Sequence, residues 1–254
     1  MSVSHDWFEG YGGAMLALHR VAPKSGSARP LVLLHGLFSS AEMNWIKWGH
    51  AATLADAGYE VLMPDLRAHG SSAAPHDPAA YPADVLARDL EALIAHLGLT
   101  DYDLGGFSLG SRTSVRGVIG GLRPRRLVLG GMGLEGLTGG TARRDFFIDA
   151  IDRFDTVKHG DPAYFAVQFM KSMAVDRVAA RLLLGAMADT PVAALATVEI
   201  PTRVVCGSED RDNGAPDKLV AALPDAELAV IPGTHMSCVT KPDLGVAIRD
   251  FLIR

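Results

Sequence analysis

The chain has 254 residues, of which 48% are hydrophobic and 21% charged, with a formal net charge of −5. That is an ordinary globular balance, long enough to bury roughly 70% of the unfolded surface without staples. It excludes a disordered chain, a coiled coil and a collagen-like fibre. No basic face is visible for nucleic acid. The apolar stretches at 31–38 and 127–137 are too short or too glycine-rich to span a bilayer. Neither nucleic acid nor membrane is therefore expected as a partner, and the oligomeric state stays open. The N-terminus shows no basic region followed by an apolar run, so a cytoplasmic compartment is expected. Two cysteines make no disulfide framework. Cys206 in a strand-like run and Cys238 at the start of a later helix both read as buried thiols.

In chain order, Trp7-Phe8-Glu9-Gly10 and Met15-Leu16-Ala17-Leu18 suggest two antiparallel strands at a sheet edge. Pro30-Leu31-Val32-Leu33-Leu34 is nearly all apolar, as a strand covered on both faces should be. A helix over 41–56 and a strand over Tyr59–Met63 follow. The helix over 82–98 is the clearest: Val85, Leu86, Leu90, Leu93, Ile94 and Leu97 share one face, and Gly98 supplies the stop. Further strands are expected at 102–104, 126–129, 203–206 and 228–231, with helices at 109–122, 216–223 and 242–253. Strands alternating with helices imply right-handed crossovers and a mostly parallel sheet. One stretch breaks the alternation. Between Gly133 and Ile200 there is only helical material, such as 143–154 and 163–187. An insertion of that size reads as a helical cap over the C-terminal sheet edge. The expected division is a core of 1–133 and 201–254 with a cap of 134–200.

The chemistry centres on Gly106-Phe107-Ser108-Leu109-Gly110, a G-x-S-x-G sequence between a strand and a helix. The glycines permit a turn too tight for side chains, which pushes the Ser108 oxygen out at the sheet edge. The helix that follows adds its positive end. A serine nucleophile needs a base, and the base an orienting acid; this arrangement runs Ser, acid, His along the chain. After Ser108 the histidines are His159 and His235. His159 reads as a surface turn in the cap. His235 follows a strand through Pro232-Gly233-Thr234, on the same sheet edge as Ser108. For the acid, Glu209, Asp210 and Asp212 compete after the strand ending at Cys206. Asp210, three residues past Gly207 at the loop tip, is assigned. The loop His35-Gly36-Leu37-Phe38 offers the Leu37 N–H as partner to the Leu109 N–H in an oxyanion hole. His35, at the strand end, reads as structural.

These features resemble the α/β-hydrolase superfamily over nearly the whole chain, the cap matching least. Leu34–Ser40 and Pro64-Asp65-Leu66-Arg67-Ala68-His69-Gly70-Ser71-Ser72 are similar to segments of small bacterial serine esterases within it. The resemblance implies a mostly parallel central sheet flanked by helices, with a small helical cap inserted after the sixth strand. It also implies that Asp65, Arg67 and His69 brace loops. Thr234 and Ser111 stand where members often carry glycine. Epoxide hydrolases and haloalkane dehalogenases of this fold use aspartate where Ser108 stands, which argues against those activities. No metal-ligand spacing is present, and Gly130-Gly131-Met132-Gly133 lacks the ending of a phosphate loop; no cofactor and no metal are expected. Phe38, Phe107, Met132, Phe146 and Phe169 are the candidate pocket residues. No Arg or Lys can be assigned to a substrate carboxylate. The expected partner is a small ester or related acyl substrate, cleaved through an acyl-enzyme. The same triad could instead serve C–C bond hydrolysis, lactone opening or perhydrolysis, or the fold a small-ligand receptor.

Overall fold

The structure is a computed structural model that describes residues 2–24, 28–139 and 141–254. Eight strands among these residues form one sheet: β1 (Val3–Glu9), β2 (Met15–Val21), β3 (Arg29–Leu34), β4 (Tyr59–Pro64), β5 (Asp103–Phe107), β6 (Leu127–Gly130), β7 (Thr202–Gly207) and β8 (Ala226–Ile231). Their order is β1-β2-β4-β3-β5-β6-β7-β8. The β1–β2 and β2–β4 pairs are antiparallel and every pair from β4 to β8 is parallel. This is the α/β-hydrolase fold, and the edge hairpin expected from residues 7–18 forms β1 and β2.

The period of two explains why β3 has no polar face. Val32 and Leu34 enter one apolar cluster with Leu86, Leu90 and Leu93, while Leu31 and Leu33 enter the opposite one with Trp45, Leu54 and Leu244. Alternate side chains point to opposite faces, and each face is roofed by helices. On the first face lie α2 (Val85–His96) and α3 (Leu109–Gly120); on the second lie α1 (His50–Asp56) and the helix over Asp243–Leu252. The chain leaves β3 toward β4 on one side and returns to β5 on the other. The strand order therefore reverses at β3, and the crevice between the ends of β3 and β5 is the place where such sheets bind ligands.

After β6 come α4 (Leu134–Thr138), α5 (Thr141–Asp152), α6 (Tyr164–Ser172), α7 (Arg177–Gly185) and α8 (Val192–Leu195). Of these, α5, α6 and α7 share a small apolar cluster built on Ile151, Val167, Met170 and Leu184, which Phe38 joins from the β3 loop, while Leu137 of α4 and Leu195 of α8 enter the first core cluster. The remaining helices are α9 (Pro216–Ala222), α10 (His235–Cys238) and α11 (Asp243–Leu252). Among the described residues no helix is long and apolar enough to cross a membrane.

Three local expectations differ from what is found. The single helix over 41–56 is two pieces, a wide turn over Glu42–Ile46 and then α1, because Gly49 between them takes a left-handed conformation (φ 81°). The helical run over 163–187 is also broken. Ala174 is left-handed, and Asp176 then caps α7 by accepting from the Val178 and Ala179 N–H groups. Cys238 ends the short helix α10, and the later helix begins at Asp243. Both cysteines are free and buried, as expected.

Candidate active site

The site is built where β3, β5, β7 and β8 end. Ser108 sits between β5 and α3 with φ 52° and ψ −110°, a conformation that side chains seldom adopt and that persists only when the surroundings enforce it. Here they do. A Cβ on Gly106 would lie 2.3 Å from the Gly110 carbonyl carbon, and one on Gly110 would lie 2.2 Å from the Leu34 oxygen. The two glycines let strand and helix approach this closely, and the residue between them takes the strain. The Ser108 N–H donates to the Gly130 oxygen at 2.8 Å, tying the elbow to β6.

His235 opens α10. Its Nδ1 lies 2.8 Å from Asp210 Oδ2, with both side chains almost fully buried. The carboxylate accepts the Nδ1 proton, which fixes the tautomer with Nε2 free to act as a base. Burial alone would raise the Asp210 carboxyl above its usual range. The hydrogen bond and charge of His235, with the Asp212 N–H donating to Oδ1, offset this and hold it below that range. Phe107 packs its ring against the imidazole, 4.9 Å between centroids. Among the described residues no direct hydrogen bond joins His235 to Ser108, yet both border one cavity of about 770 Å³. Hydrogen bonds of this kind often tighten only when substrate binds.

The competing acids are placed elsewhere. Glu209 is exposed, and Asp212 forms an exposed ion pair with Arg143 at 3.3 Å. His159 lies in an exposed turn beside Tyr164. The Leu37 and Leu109 N–H groups stand on the loop after β3 and at the first turn of α3, and among the described residues neither has a protein acceptor. Gly36 between His35 and Leu37 is held by its own N–H donating to Asn44 Oδ1 at 3.0 Å.

The two departures from glycine have local uses. The Ser111 hydroxyl lies 2.8 Å from both the Gly106 and Gly130 oxygens, under the elbow. Thr234 caps α10 reciprocally with Ser237, which sets the position of His235. The bracing segment behaves as the resemblance implies. Asp65 accepts from the Ala41 and Ser71 N–H groups, and Arg67 grips Asp89 through two nitrogens.

Of the candidate pocket residues, Phe38, Phe107, Phe146 and Phe169 border the large cavity. Met132 does not; it borders a second, smaller cavity of about 60 Å³ that also reaches Ser108. Sequence reasoning missed Asn213. This buried amide donates to the Gly131 oxygen at 2.7 Å and, at 3.4 Å, to Ser108 Oγ. Its signal was a polar, uncharged residue three places after Asp210, in a loop read only for carboxylates. Arg143 was also unplaced; it borders both cavities and stacks over Phe147 at 5.2 Å. Among the described residues no three His, Cys, Asp or Glu side chains group as a metal site.

Residues 29–116 match the family model for the alpha/beta hydrolase fold. Among curated proteins, the chain is 34% identical over 105 residues to N-formylmaleamate deformylase of Pseudomonas putida, covering 41% of this chain and 37% of that one. It is 34% identical over 87 residues to epoxide hydrolase 2 of Siraitia grosvenorii, covering 34% and 26%. The aligned parts thus span well under half the length of these relatives. Two solved structures superpose along nearly their whole length. A hydrolase from Pseudomonas aeruginosa PA01 has a TM-score of 0.78 at 24% identity, with 98% of each chain covered. The esterase EaEST of Exiguobacterium antarcticum has a TM-score of 0.76 at 18% identity, with 97% of each covered. Residues 29–116 thus resemble the alpha/beta hydrolase family, and the chain as a whole shares the α/β-hydrolase fold.

Proposed function

We propose that the protein is a serine hydrolase that needs no cofactor and cleaves small carboxylic esters through an acyl-enzyme. The observation that carries the reading is the meeting, on one cavity, of a strained serine elbow and a histidine whose Nδ1 is held by a buried carboxylate. Ser108 Oγ attacks the ester carbonyl carbon and passes its proton to His235 Nε2. The carbonyl oxygen becomes an oxyanion that the Leu37 and Leu109 N–H groups receive. The bond to the alcohol oxygen then breaks, and that oxygen takes the proton from His235. Water repeats the sequence on the acyl-enzyme: His235 takes its proton, the acid leaves, and the proton returns to Ser108 Oγ. Asp210 holds the tautomer throughout and stabilises the imidazolium. In this reading α5 to α7 cap the site and supply its apolar walls, as residues 134–200 were expected to do.

The test is turnover of p-nitrophenyl acetate and butyrate by the purified protein. A burst of p-nitrophenol followed by steady release is expected, and both should vanish in Ser108→Ala. A small-ligand receptor on the same fold would bind without sustained release, and that result would overturn the reading.

A further inference from the structure

Two cavities of very different size meet at Ser108, and only one of them reaches the histidine. The large one, about 770 Å³, is bordered by His235 and by Phe146, Phe165 and Met236, which leave its rim apolar and open. The small one, about 60 Å³, is bordered by Leu109, Met132, Leu184, Met187 and Asn213 but not by His235. Leu37 and Phe147 belong to both and form the partition.

We propose that the small cavity receives the acyl chain and the large one the leaving alcohol, so that the substrates are esters of acids of two to four carbons with bulky apolar alcohols. This rests on the serine-ester reading above. The argument is one of directions around a tetrahedral carbon. Four substituents surround it: Ser108 Oγ, the oxyanion, the acyl chain and the alcohol oxygen. The oxyanion faces the Leu37 and Leu109 N–H groups. The alcohol oxygen must lie within reach of the imidazolium that protonates it, because an alkoxide leaves poorly without that proton. It therefore faces the cavity that His235 borders. The acyl chain takes the remaining direction, into the small cavity.

Size then sets the acid. A cavity of 150 Å³ holds the six carbons of benzene, so about 60 Å³ holds two or three carbons, and small movements of the methionines admit a fourth. Charge sets its character. Three arginines border the small cavity, but Arg112 is bonded to Asp189, Arg143 to Asp212 and Arg144 to Asp145. Each positive charge already faces a carboxylate, so an anionic acyl chain is not rewarded. The apolar Met132, Leu184 and Met187 favour a plain alkyl chain.

The experiment is a matrix of kcat/KM values for the wild type, Met187→Ala and Phe165→Ala. The substrates are 1-naphthyl acetate, butyrate, hexanoate and octanoate, with methyl acetate and 1-naphthyl succinate (free acid) as controls. One surplus methylene is worth about tenfold or more and octanoate carries several, so the wild type should prefer acetate or butyrate over octanoate by about a hundredfold or more. Met187→Ala should move the chain-length optimum upward. Phe165→Ala, on the exposed rim of the large cavity, should keep the acyl profile and lose part of the preference for naphthyl over methyl. The succinate ester should be slower than the butyrate. Octanoate as the best wild-type substrate would overturn the assignment. So would an acyl profile that moves with Phe165→Ala and not with Met187→Ala, because the cavities would then be reversed. The wild-type series stands even if a variant fails to fold. Absence of turnover on every ester would instead overturn the ester reading on which the proposal rests.

Discussion

His35 and His235 both follow strands of the parallel sheet at its C-terminal edge, each with an aspartate close by, and their bonding differs completely. The His35 Nδ1–H donates to the Gly36 oxygen at 2.8 Å and its Nε2 accepts from the Leu66 N–H at 2.9 Å. Both nitrogens are used. Its neighbour Asp65 spends its oxygens on His19 and on the Ala41 and Ser71 N–H groups. His235 also has one nitrogen engaged, by Asp210, but the residue borders a cavity shared with Ser108, and among the described residues no hydrogen bond holds its second nitrogen. A histidine becomes available for chemistry when the fold orients it through one nitrogen and leaves the second toward substrate. When both are bonded it is a brace.

The comparison breaks most visibly at the histidines themselves. His235→Ala should lower kcat by roughly 10⁴–10⁶-fold, the range of triad deletions in other serine hydrolases, with little change in melting temperature. His35→Gln should do the opposite. It disturbs a buried pair of hydrogen bonds at a cost of about 1–3 kcal/mol, seen as a lower melting temperature, and activity at low temperature should largely persist. Steady-state kinetics and thermal melts of the two variants decide it, and equal losses of kcat would erase the distinction. The next effect in size is at the acids. Asp210→Asn should cost about 10⁴-fold in kcat by presenting the wrong tautomer, while Asp212→Asn, losing only a surface ion pair, should stay near wild type.

Asn213 sharpens the account on a smaller scale. A single hydrogen bond is worth about 0.5–1.5 kcal/mol net, so Asn213→Ala should lower kcat/KM by roughly threefold to tenfold. Stopped-flow of p-nitrophenyl acetate measures it; no change would remove the residue from the site.

The smallest expected effect is on stability with pH, and the brace contributes to it together with His50, which burial also holds below its usual range. Burial holds the His35 imidazole below its usual range despite Asp65 and the Gly36 oxygen, and it holds His69, 5.1 Å from His35, down to about 3. The unfolded chain protonates these groups below about pH 6.5 while the folded chain does not. Their stabilisation is complete above that pH and declines as pH falls toward 3. Asp65 is held at about 2, where burial is outweighed by His19, His35 and two backbone N–H groups, so its contribution is lost only below pH 4. Melting temperature should therefore drop between pH 7 and 5, by roughly 2–4 °C per kcal/mol lost. A flat profile over that range would show that the buried histidines do not resist protonation.

The fold, and the placement of Ser108, Asp210 and His235 at one sheet edge, were legible because their signals are local. An all-apolar strand, a glycine on each side of Ser108 and a histidine just past a strand each occupy a few consecutive positions. The failures are long-range or conformational. Residues 41–56 keep helical composition across Gly49, and nothing nearby announces its left-handed turn. Asn44 and Asn213 act through contacts with Gly36 and Ser108, 8 and 105 positions away. The separation of Met132 from Phe146 and Phe169 into different cavities depends on where Phe147 and Leu37 meet, which no periodicity encodes.

The central claim is that Ser108 is the nucleophile and His235, not His35, its base. Intact-mass spectrometry after brief exposure to a fluorophosphonate tests it most directly, on the wild type and on Ser108→Ala, His235→Ala and His35→Gln. The account predicts one adduct per chain on the wild type and on His35→Gln, greatly slowed labelling of His235→Ala, and none on Ser108→Ala. Full labelling of Ser108→Ala, or loss of labelling in His35→Gln with His235→Ala unaffected, would contradict it.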